Sequence, residues 1–135
     1  MSQTYNKPLP QITALNKPFW DAARENRLVV QACPACGDTR FPPGPICPKC
    51  LNPEQTWKQV SGRGTLESWV DFHRAYWDGY KDSLPYRVCL VRLEEGPLLV
   101  SNLVGNSDNA KLGAAVQVVF EAVTDTVTLP KFTLS

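Results

Sequence analysis

Four cysteines in two Cys-x-x-Cys pairs constrain the fold of this chain more than any other feature. The first pair is Cys33 and Cys36, and the second pair, Cys47 and Cys50, begins eleven residues after the first one ends. Each pair places two thiolates on one side of a tight bend, and two pairs complete a tetrahedral shell with metal–sulfur distances of about 2.3 Å. Because four thiolates leave no open coordination position, the pattern predicts a structural zinc ribbon. Iron held as in rubredoxin is the rival metal, and disulfides or unligated thiols are the third interpretation.

The length and charge of the chain narrow the class of protein. The 135 residues suffice for one compact domain, or for a small metal module joined to a second small core. The first fifteen residues lack the features of a secretion signal, and no apolar run could span a bilayer, so we expect a soluble cytoplasmic protein. A formal net charge of +1, without any block of like charges, offers little basic surface for phosphate and disfavours nucleic-acid binding.

The N-terminal segment, residues 1–27, is predicted to be an arm followed by one short helix. Residues 1–16 are polar and show no periodicity. Asn16 can cap a helix and Pro18 is tolerated in its first turn, while the apolar residues that follow recur at helical spacing. These signals predict an amphipathic helix over residues 17–26, with its apolar side formed by Phe19, Ala22 and Ala23.

The remainder is predicted to be mainly β, with the zinc ribbon in residues 28–60 and a small barrel in residues 61–135. Gly62 and Gly64 mark the boundary between the two units. After it, runs of alternating residues are separated by turn signals, as in a small barrel. Five strands are expected, at residues 65–72, 86–93, 97–103, 115–123 and 126–129.

The long connection between the first two barrel strands, residues 73–85, combines aromatic and cationic side chains. Such a loop could act as a lid over a flat or phosphorylated ligand, or it could be a solvated loop pinned to the barrel by an aromatic anchor. Cys89 lies in an alternating strand with no adjacent His or Lys, so it is predicted to be a packed core thiol. The chain shows no Ser-His-Asp order, paired carboxylates or phosphate-binding glycine loop.

The combined pattern resembles the family of rubredoxin-like zinc-ribbon plus OB-fold proteins that are described as acyl-CoA-associated. The resemblance spans most of the chain. The matching positions are Phe19-Trp20, Leu28 to Cys36, Cys47-Pro48 to Cys50, Gly62 to Gly64, His73, Leu84-Pro85-Tyr86, Glu95-Gly96-Pro97, Ser101 to Gly105 and Thr128 to Phe132.

This resemblance implies a five-stranded OB-fold barrel and an accessory subunit without catalytic residues of its own. Its partner would be a thiolase-superfamily protein, namely a thiolase, an aldolase or an acyltransferase, and the two chains together would bind or channel an acyl-CoA ester. The helix and the arm residues Leu9, Ile12 and Leu15 are the expected docking surface for that partner. Stacking and phosphate pairing with coenzyme A are assigned to Arg63, His73, Arg74, Trp77, Lys81 and Lys131.

Two alternatives stay open at this point. OB-folds and zinc ribbons also bind single-stranded nucleic acid, and Trp69 with the loop aromatics could stack on bases. An electron carrier of the rubredoxin type would require iron in the four-cysteine site.

Overall fold

The computed structural model describes residues 5–135, so residues 1–4 of the predicted arm lie outside the described part. The fold is mainly β with one short N-terminal α-helix, which confirms the predicted class. The helical elements are α1 (Lys17–Arg24) and a 3₁₀ helix (Asp78–Ser83). The strands are β1 (Leu28–Ala32), β2 (Thr39–Arg40), β3 (Thr56–Val60), β4 (Arg63–Phe72), β5 (Tyr86–Leu93), β6 (Leu98–Asn102), β7 (Ala115–Ala122) and β8 (Thr128–Leu134).

Helix α1 turns its apolar side toward its own chain. Phe19, Ala22 and Ala23 are buried, as predicted, and Pro18 lies in the first turn. Asn16 precedes the helix, but its side chain accepts a hydrogen bond from the Thr13 N–H at 2.7 Å and makes no cap to the helix. The apolar face of the helix is therefore already occupied inside the chain.

The ribbon is a three-stranded antiparallel sheet in the order β2-β1-β3. Strand β3 pairs with β1 along its whole length, from Leu28 opposite Val60 to Ala32 opposite Thr56. Within the predicted ribbon of residues 28–60, the sequence analysis assigned no strand to residues 56–60, so β3 was missed. Beside the sheet, buried Gln31 exchanges two hydrogen bonds with the backbone of Gly44, at 2.9 and 3.0 Å.

The second sheet is a nearly closed barrel with the strand order β6-β5-β4-β7-β8, all antiparallel. All five predicted barrel strands are present. The two outer strands approach each other where Leu103 and Phe132 form a β-bridge and the Ser101 hydroxyl donates to the Pro130 carbonyl at 2.7 Å. The barrel is therefore nearly closed, and its two edge strands, β6 and β8, lie next to each other.

Two details of the predicted barrel were wrong. Simple alternation over residues 65–72 predicts that Val70 shares a face with Leu66 and that Trp69 lies on the other face. A β-bulge between Leu66 and Ser68 reverses this order, so that half-buried Trp69 packs against the core and Val70 is exposed. Strand β8 also continues through Pro130 to Leu134 instead of ending at residue 129. Proline is tolerated there because β8 is an edge strand and no neighbour needs its missing N–H.

One buried cluster joins the ribbon to the barrel. Phe19, Leu28, Val30 and Val60 belong to the same cluster as the barrel residue Phe132. The predicted core thiol Cys89 also lies in this cluster, with 1% of its surface exposed. Within residues 5–135, no helix is long and apolar enough to cross a membrane.

Candidate metal centre and barrel cavity

The metal centre is built from two backbone turns of the same geometry. In the first turn the Gly37 N–H donates to the Cys33 carbonyl at 2.9 Å, and in the second the Leu51 N–H donates to the Cys47 carbonyl at 2.8 Å. A further pair of matching bonds closes each turn, from Cys33 N–H to Asp38 O and from Cys47 N–H to Asn52 O. These turns, here called the first and second knuckles (residues 33–38 and 47–52), face each other across the site.

The four sulfur atoms lie close enough to share one ion. All four Sγ atoms of Cys33, Cys36, Cys47 and Cys50 are within 4.8 Å of one another. The Sγ–Sγ distance is 3.5 Å between Cys33 and Cys50 and 3.6 Å between Cys36 and Cys47. A tetrahedral zinc ion with zinc–sulfur bonds of about 2.3 Å separates its ligands by about 3.8 Å. The donor set therefore fits tetracoordinate zinc, as the sequence predicted.

Backbone N–H groups lower the pKa of two of the four thiols, one in each knuckle. Hydrogen bonds from the backbone of Cys36 and Ala35 lower the pKa of Cys33 to about 6. The backbone N–H groups of Cys50 and Lys49 likewise lower the pKa of Cys47. Since four thiolates this close repel one another, a cation is needed to hold all of them ionised. When bound, zinc supplies a cross-link and no chemistry, because four cysteines leave it no free position.

A separate cavity of about 510 Å³ opens at one end of the barrel. Its wall contains Asp71 and Arg87, which form a bidentate ion pair at 2.6 and 3.0 Å. The hydrogen bond from Arg87 lowers the pKa of Asp71, and the same bond raises the pKa of Arg87. Arg87 also donates to the carbonyl and hydroxyl of Ser107 and lies 5.7 Å from the centre of the Trp69 ring. The arginine is thus fully engaged in the wall of the cavity.

The described part of the N-terminal arm contributes Tyr5 and Lys7 to the wall of this cavity. Lys7 lies over the Tyr80 ring at 5.4 Å, and an added Cβ at Gly79 would overlap the carbonyl of Asn6. Burial raises the pKa of both Tyr5 and Tyr80. Asn6 and Lys7, in the described part of the arm, thus contact the 3₁₀ helix of their own chain.

The 3₁₀ helix is held on the barrel by aromatic stacking. The rings of Tyr80 and Tyr86 are 4.6 Å apart, and Tyr86 stacks on Phe72 at 5.0 Å. Trp77 lies 6.1 Å from Tyr80 but remains 55% exposed. The connection between β4 and β5 is thus anchored by Tyr80 and presents Trp77 to the outside.

The structure brings together only some of the residues predicted to contact coenzyme A. Lys131 lines the cavity and pairs with Glu121 at 2.7 Å. His73 and Arg74 lie in a shallow depression at the end of β4, where Arg74 stacks on Tyr76. The other members are the exposed Trp77, Lys81 paired with Asp78 at 3.3 Å, and Arg63 paired with Glu94 at 3.2 Å.

Arg63 lies at the opposite end of β4 from His73 and Arg74. It begins β4, whereas His73 follows the last residue of that strand, Phe72. Ten strand residues at about 3.3 Å each separate the two positions by about 30 Å. Arg63 instead borders the ribbon, where the turn residues Glu94 and Glu95 bond to Ser61.

Sequence reasoning missed the cavity's central ion pair. Asp71 and Arg87 face each other across β4 and β5, whereas the sequence pattern placed them only within the predicted strands at residues 65–72 and 86–93. The signal was present, because opposite charges at the paired ends of two antiparallel strands stabilise the pair. Finding it required the register, which the bulge in β4 shifts by one residue.

A four-cysteine ribbon joined through a shared core to a five-stranded barrel defines the class of zinc-ribbon and OB-fold proteins. Residues 20–54 match the family model described as the rubredoxin-like zinc ribbon domain of ChsH2, and residues 57–121 match the C-terminal OB-fold domain of ChsH2. The chain belongs to this ChsH2-type family, in agreement with the resemblance found from its motifs.

Relatives and a solved structure extend this result. The chain is 36% identical over 127 residues to a probable enoyl-CoA hydratase alpha subunit of Thermomonospora curvata, covering 93% of this chain and 39% of that protein. It is 34% identical over 98 residues to a DUF35 domain-containing scaffold protein of Methanothermobacter thermautotrophicus, covering 71% of this chain and 73% of the relative. A solved chain of an "Ltp2-ChsH2(DUF35) aldolase" superposes with a TM-score of 0.84 at 35% identity, covering 93% of this chain and 98% of the other.

Proposed function

We propose that this chain is a non-catalytic accessory subunit that binds a thiolase-superfamily enzyme, either a thiolase, an aldolase or an acyltransferase, and helps to bind or channel its acyl-CoA substrate. Support for an accessory role comes from the similarity to a chain of the Ltp2-ChsH2(DUF35) aldolase and to proteins named as scaffolds. The activity that each relative is named for belongs to that full-length protein. The chain spans only 39% of the length of the hydratase alpha subunit that it matches.

The chemistry of the described residues supports a role without catalysis. The thiol of Cys89 is buried and its pKa is raised to about 11 by burial, so it is a poor nucleophile. The other four cysteines are committed to the metal centre. Arg87 and Asp71 are bound to each other, which leaves neither free as an acid or a base.

The observation that carries the acyl-CoA proposal is the contact between two cavities of opposite character. The barrel cavity has a mixed polar and aromatic wall, and beside it lies a groove of about 300 Å³ with the apolar lining residues Phe19, Trp20 and Phe41. The cavity and the groove share Asn102, Leu129 and Lys131. A ligand with an anionic, aromatic head and an apolar chain matches this arrangement, and an acyl-CoA ester is such a ligand.

The distribution of charge favours this ligand over nucleic acid. Most basic side chains near the barrel are paired, as in Arg92 with Glu67 and Lys131 with Glu121. A nucleic-acid groove needs a continuous stripe of free cations along the backbone path. At the cavity the cations are local instead: Lys7 lies over the Tyr80 ring, and Lys131 shares its charge with Glu121 in the same wall.

Copurification with the partner tests the accessory role. The tagged chain is expected to retain one thiolase-superfamily subunit from the source cell, and mass spectrometry identifies it. The same two chains, produced separately and mixed, should turn over an acyl-CoA ester faster than the enzyme subunit alone. Equal turnover with and without this chain would refute the accessory role.

Substitution of the shared lysine tests the ligand. In the assembled complex, Lys131→Met is expected to weaken acyl-CoA binding by about tenfold, because a phosphate contact is worth about 1.5 kcal/mol or more. Arg74→Ala, in the shallow depression, should weaken it less. Lys58→Met, on the exposed face of the ribbon strand β3, is the control. Unchanged calorimetric affinity for both test variants would refute the assignment of the coenzyme A site.

A further inference from the structure

The two zinc knuckles differ at the residue that follows their last cysteine. Gly37 in the first knuckle and Leu51 in the second both donate to the carbonyl of the first cysteine of their turn. Both adopt the left-handed conformation, with φ of 77° at Gly37 and 65° at Leu51. Glycine accepts this conformation freely, whereas the Cβ of leucine makes it strained. The second knuckle therefore carries backbone strain that the first knuckle avoids.

No packing within the described chain compensates for this strain. The Leu51 side chain is 66% exposed and is not among the residues packed against the buried cluster. Ile46, which precedes the second knuckle, is also exposed, at 45%. Backbone strain of this kind is concentrated at functional and binding sites, so the exposed Leu51 side chain is a candidate for a contact outside the chain.

The charges around the second knuckle indicate what kind of surface it meets. Lys49, between the two cysteines, pairs with Asp38 at 3.2 Å. The tip thus presents two apolar side chains beside a lysine that is paired with a carboxylate of its own chain, which Arg40 also approaches at 3.9 Å. An apolar recess complements this tip better than an acidic surface or a phosphate backbone.

We propose that Leu51 and Ile46 insert into an apolar recess on the partner enzyme subunit, so that the second zinc knuckle is a docking point of the complex. This inference rests on the proposed function and names the surface through which the subunit acts. The metal fixes the knuckle before binding, which removes the cost of ordering it at the interface. The strain at Leu51 is retained because glycine would remove the docking side chain.

The test separates the stability of the chain from its affinity for the partner. Leu51→Gly reproduces the first knuckle, and Leu51→Asn places there a residue that tolerates the left-handed region. Both variants are expected to bind one zinc ion and to unfold at the same denaturant midpoint as the wild type or a higher one. Both are expected to bind the recombinant partner, identified by copurification, about tenfold or more weakly.

Leu112→Asn is the matched control, since Leu112 is an equally exposed leucine, at 70%, outside the ribbon. It should leave partner affinity unchanged. Wild-type affinity in both Leu51 variants overturns the inference while leaving the accessory role intact. A lower unfolding midpoint in both variants also overturns it, because the side chain would then act inside the chain.

Two further outcomes concern what occupies the surface. Self-association of the wild-type chain in analytical ultracentrifugation, abolished by Leu51→Gly, would assign the knuckle to a second copy and overturn the inference. Failure of the wild-type chain to bind any thiolase-superfamily subunit would refute the proposed function, and the docking proposal with it.

Discussion

The outer part of the ribbon and the barrel are stabilised by different means. From residue 32 to residue 59 the only buried side chains are those of Cys33 and Cys47. The barrel instead buries a set of apolar side chains, among them Leu66, Val91, Val116 and Phe132. The core of the outer ribbon is thus its metal centre, whereas the core of the barrel is apolar.

The boundary between the region stabilised by metal and the region stabilised by an apolar core lies inside the ribbon sheet. Leu28, Val30 and Val60 belong to the cluster that also contains Phe132, while the cysteine-bearing turns lie beyond it. The division of the chain at residues 60 and 61 remains a prediction, and the shared cluster crosses it. A chelator that removes the metal should therefore unfold a smaller region than residues 28–60.

Removal of zinc is expected to have the largest effect of the changes considered, and to destabilise the outer ribbon while leaving the barrel folded. A structural zinc site contributes about 10 kcal/mol of binding free energy. Apart from half-buried Phe41 and Trp57, which pack against the shared cluster, residues 32–59 have little other apolar burial to replace it. Chelation should abolish hydrogen-exchange protection in the knuckles and leave β4 and β5 protected. The chelated metal should be colourless zinc, at one ion per chain. Visible absorbance of an iron–thiolate centre would contradict this assignment.

Truncation of the barrel core is expected to rank second. Phe132 is fully buried, so Phe132→Ala should lower the free energy of unfolding by about 3–5 kcal/mol. Val119→Ala, at a position on β7 that is 36% exposed, is the control and should cost far less. Denaturant unfolding of the zinc-bound chain measures both. A similar cost for both variants would show that the barrel does not depend on its buried cluster.

Two glycines, Gly64 in the barrel and Gly44 in the ribbon, show how closely the backbone is packed in each region. A Cβ at Gly64, at the start of β4, would lie 2.5 Å from the Arg92 carbonyl and 2.8 Å from Val91 Cγ1. At Gly44, in the ribbon, the nearest atom would be 3.7 Å away. Gly64→Ala should cost about 1–3 kcal/mol in thermal or denaturant unfolding. Gly44→Ala should be nearly neutral, and equal costs would remove the contrast.

The sequence predicted the two regions with different success. The cysteine spacing was sufficient for the ribbon, because metal coordination fixes the turns locally. In the barrel, alternation located all five strands but could not reveal the bulge that moves Trp69 inward and Val70 outward. The fifth strand was predicted to end at residue 129, before Pro130. Its continuation depends on Pro130 lying in an edge strand, which only the order of strands in the sheet reveals.

The cavity was the least predictable part. It depends on the Asp71–Arg87 register and on contacts between the arm and Tyr80, which are distant in sequence. The arm has no periodicity, so nothing in its own sequence predicts where it lies. Lys131 was the only member of the predicted coenzyme A set to line this cavity.

The smallest expected effect is a decrease in the stability of the barrel at acidic pH. Because Arg87 lowers the pKa of Asp71, the ion pair stabilises the fold above the unfolded carboxyl pKa of about 3.9. That stability is lost as the pH falls from there through the lowered folded pKa. Asp71→Asn should therefore unfold with a shallower pH dependence below about pH 4. Glu54→Gln, in the ribbon, is the control, and an identical slope for Asp71→Asn and wild type would contradict the account.

The central claim is that the metal holds a docking platform whose integrity is separate from that of the barrel. It is tested most directly by withdrawing zinc from the chain while recording both the hydrogen-exchange protection of β4 and β5 and the binding of the partner subunit. The account predicts that partner binding is lost while the barrel strands stay protected. Undiminished binding by the zinc-free chain, with its knuckles unprotected, would contradict it.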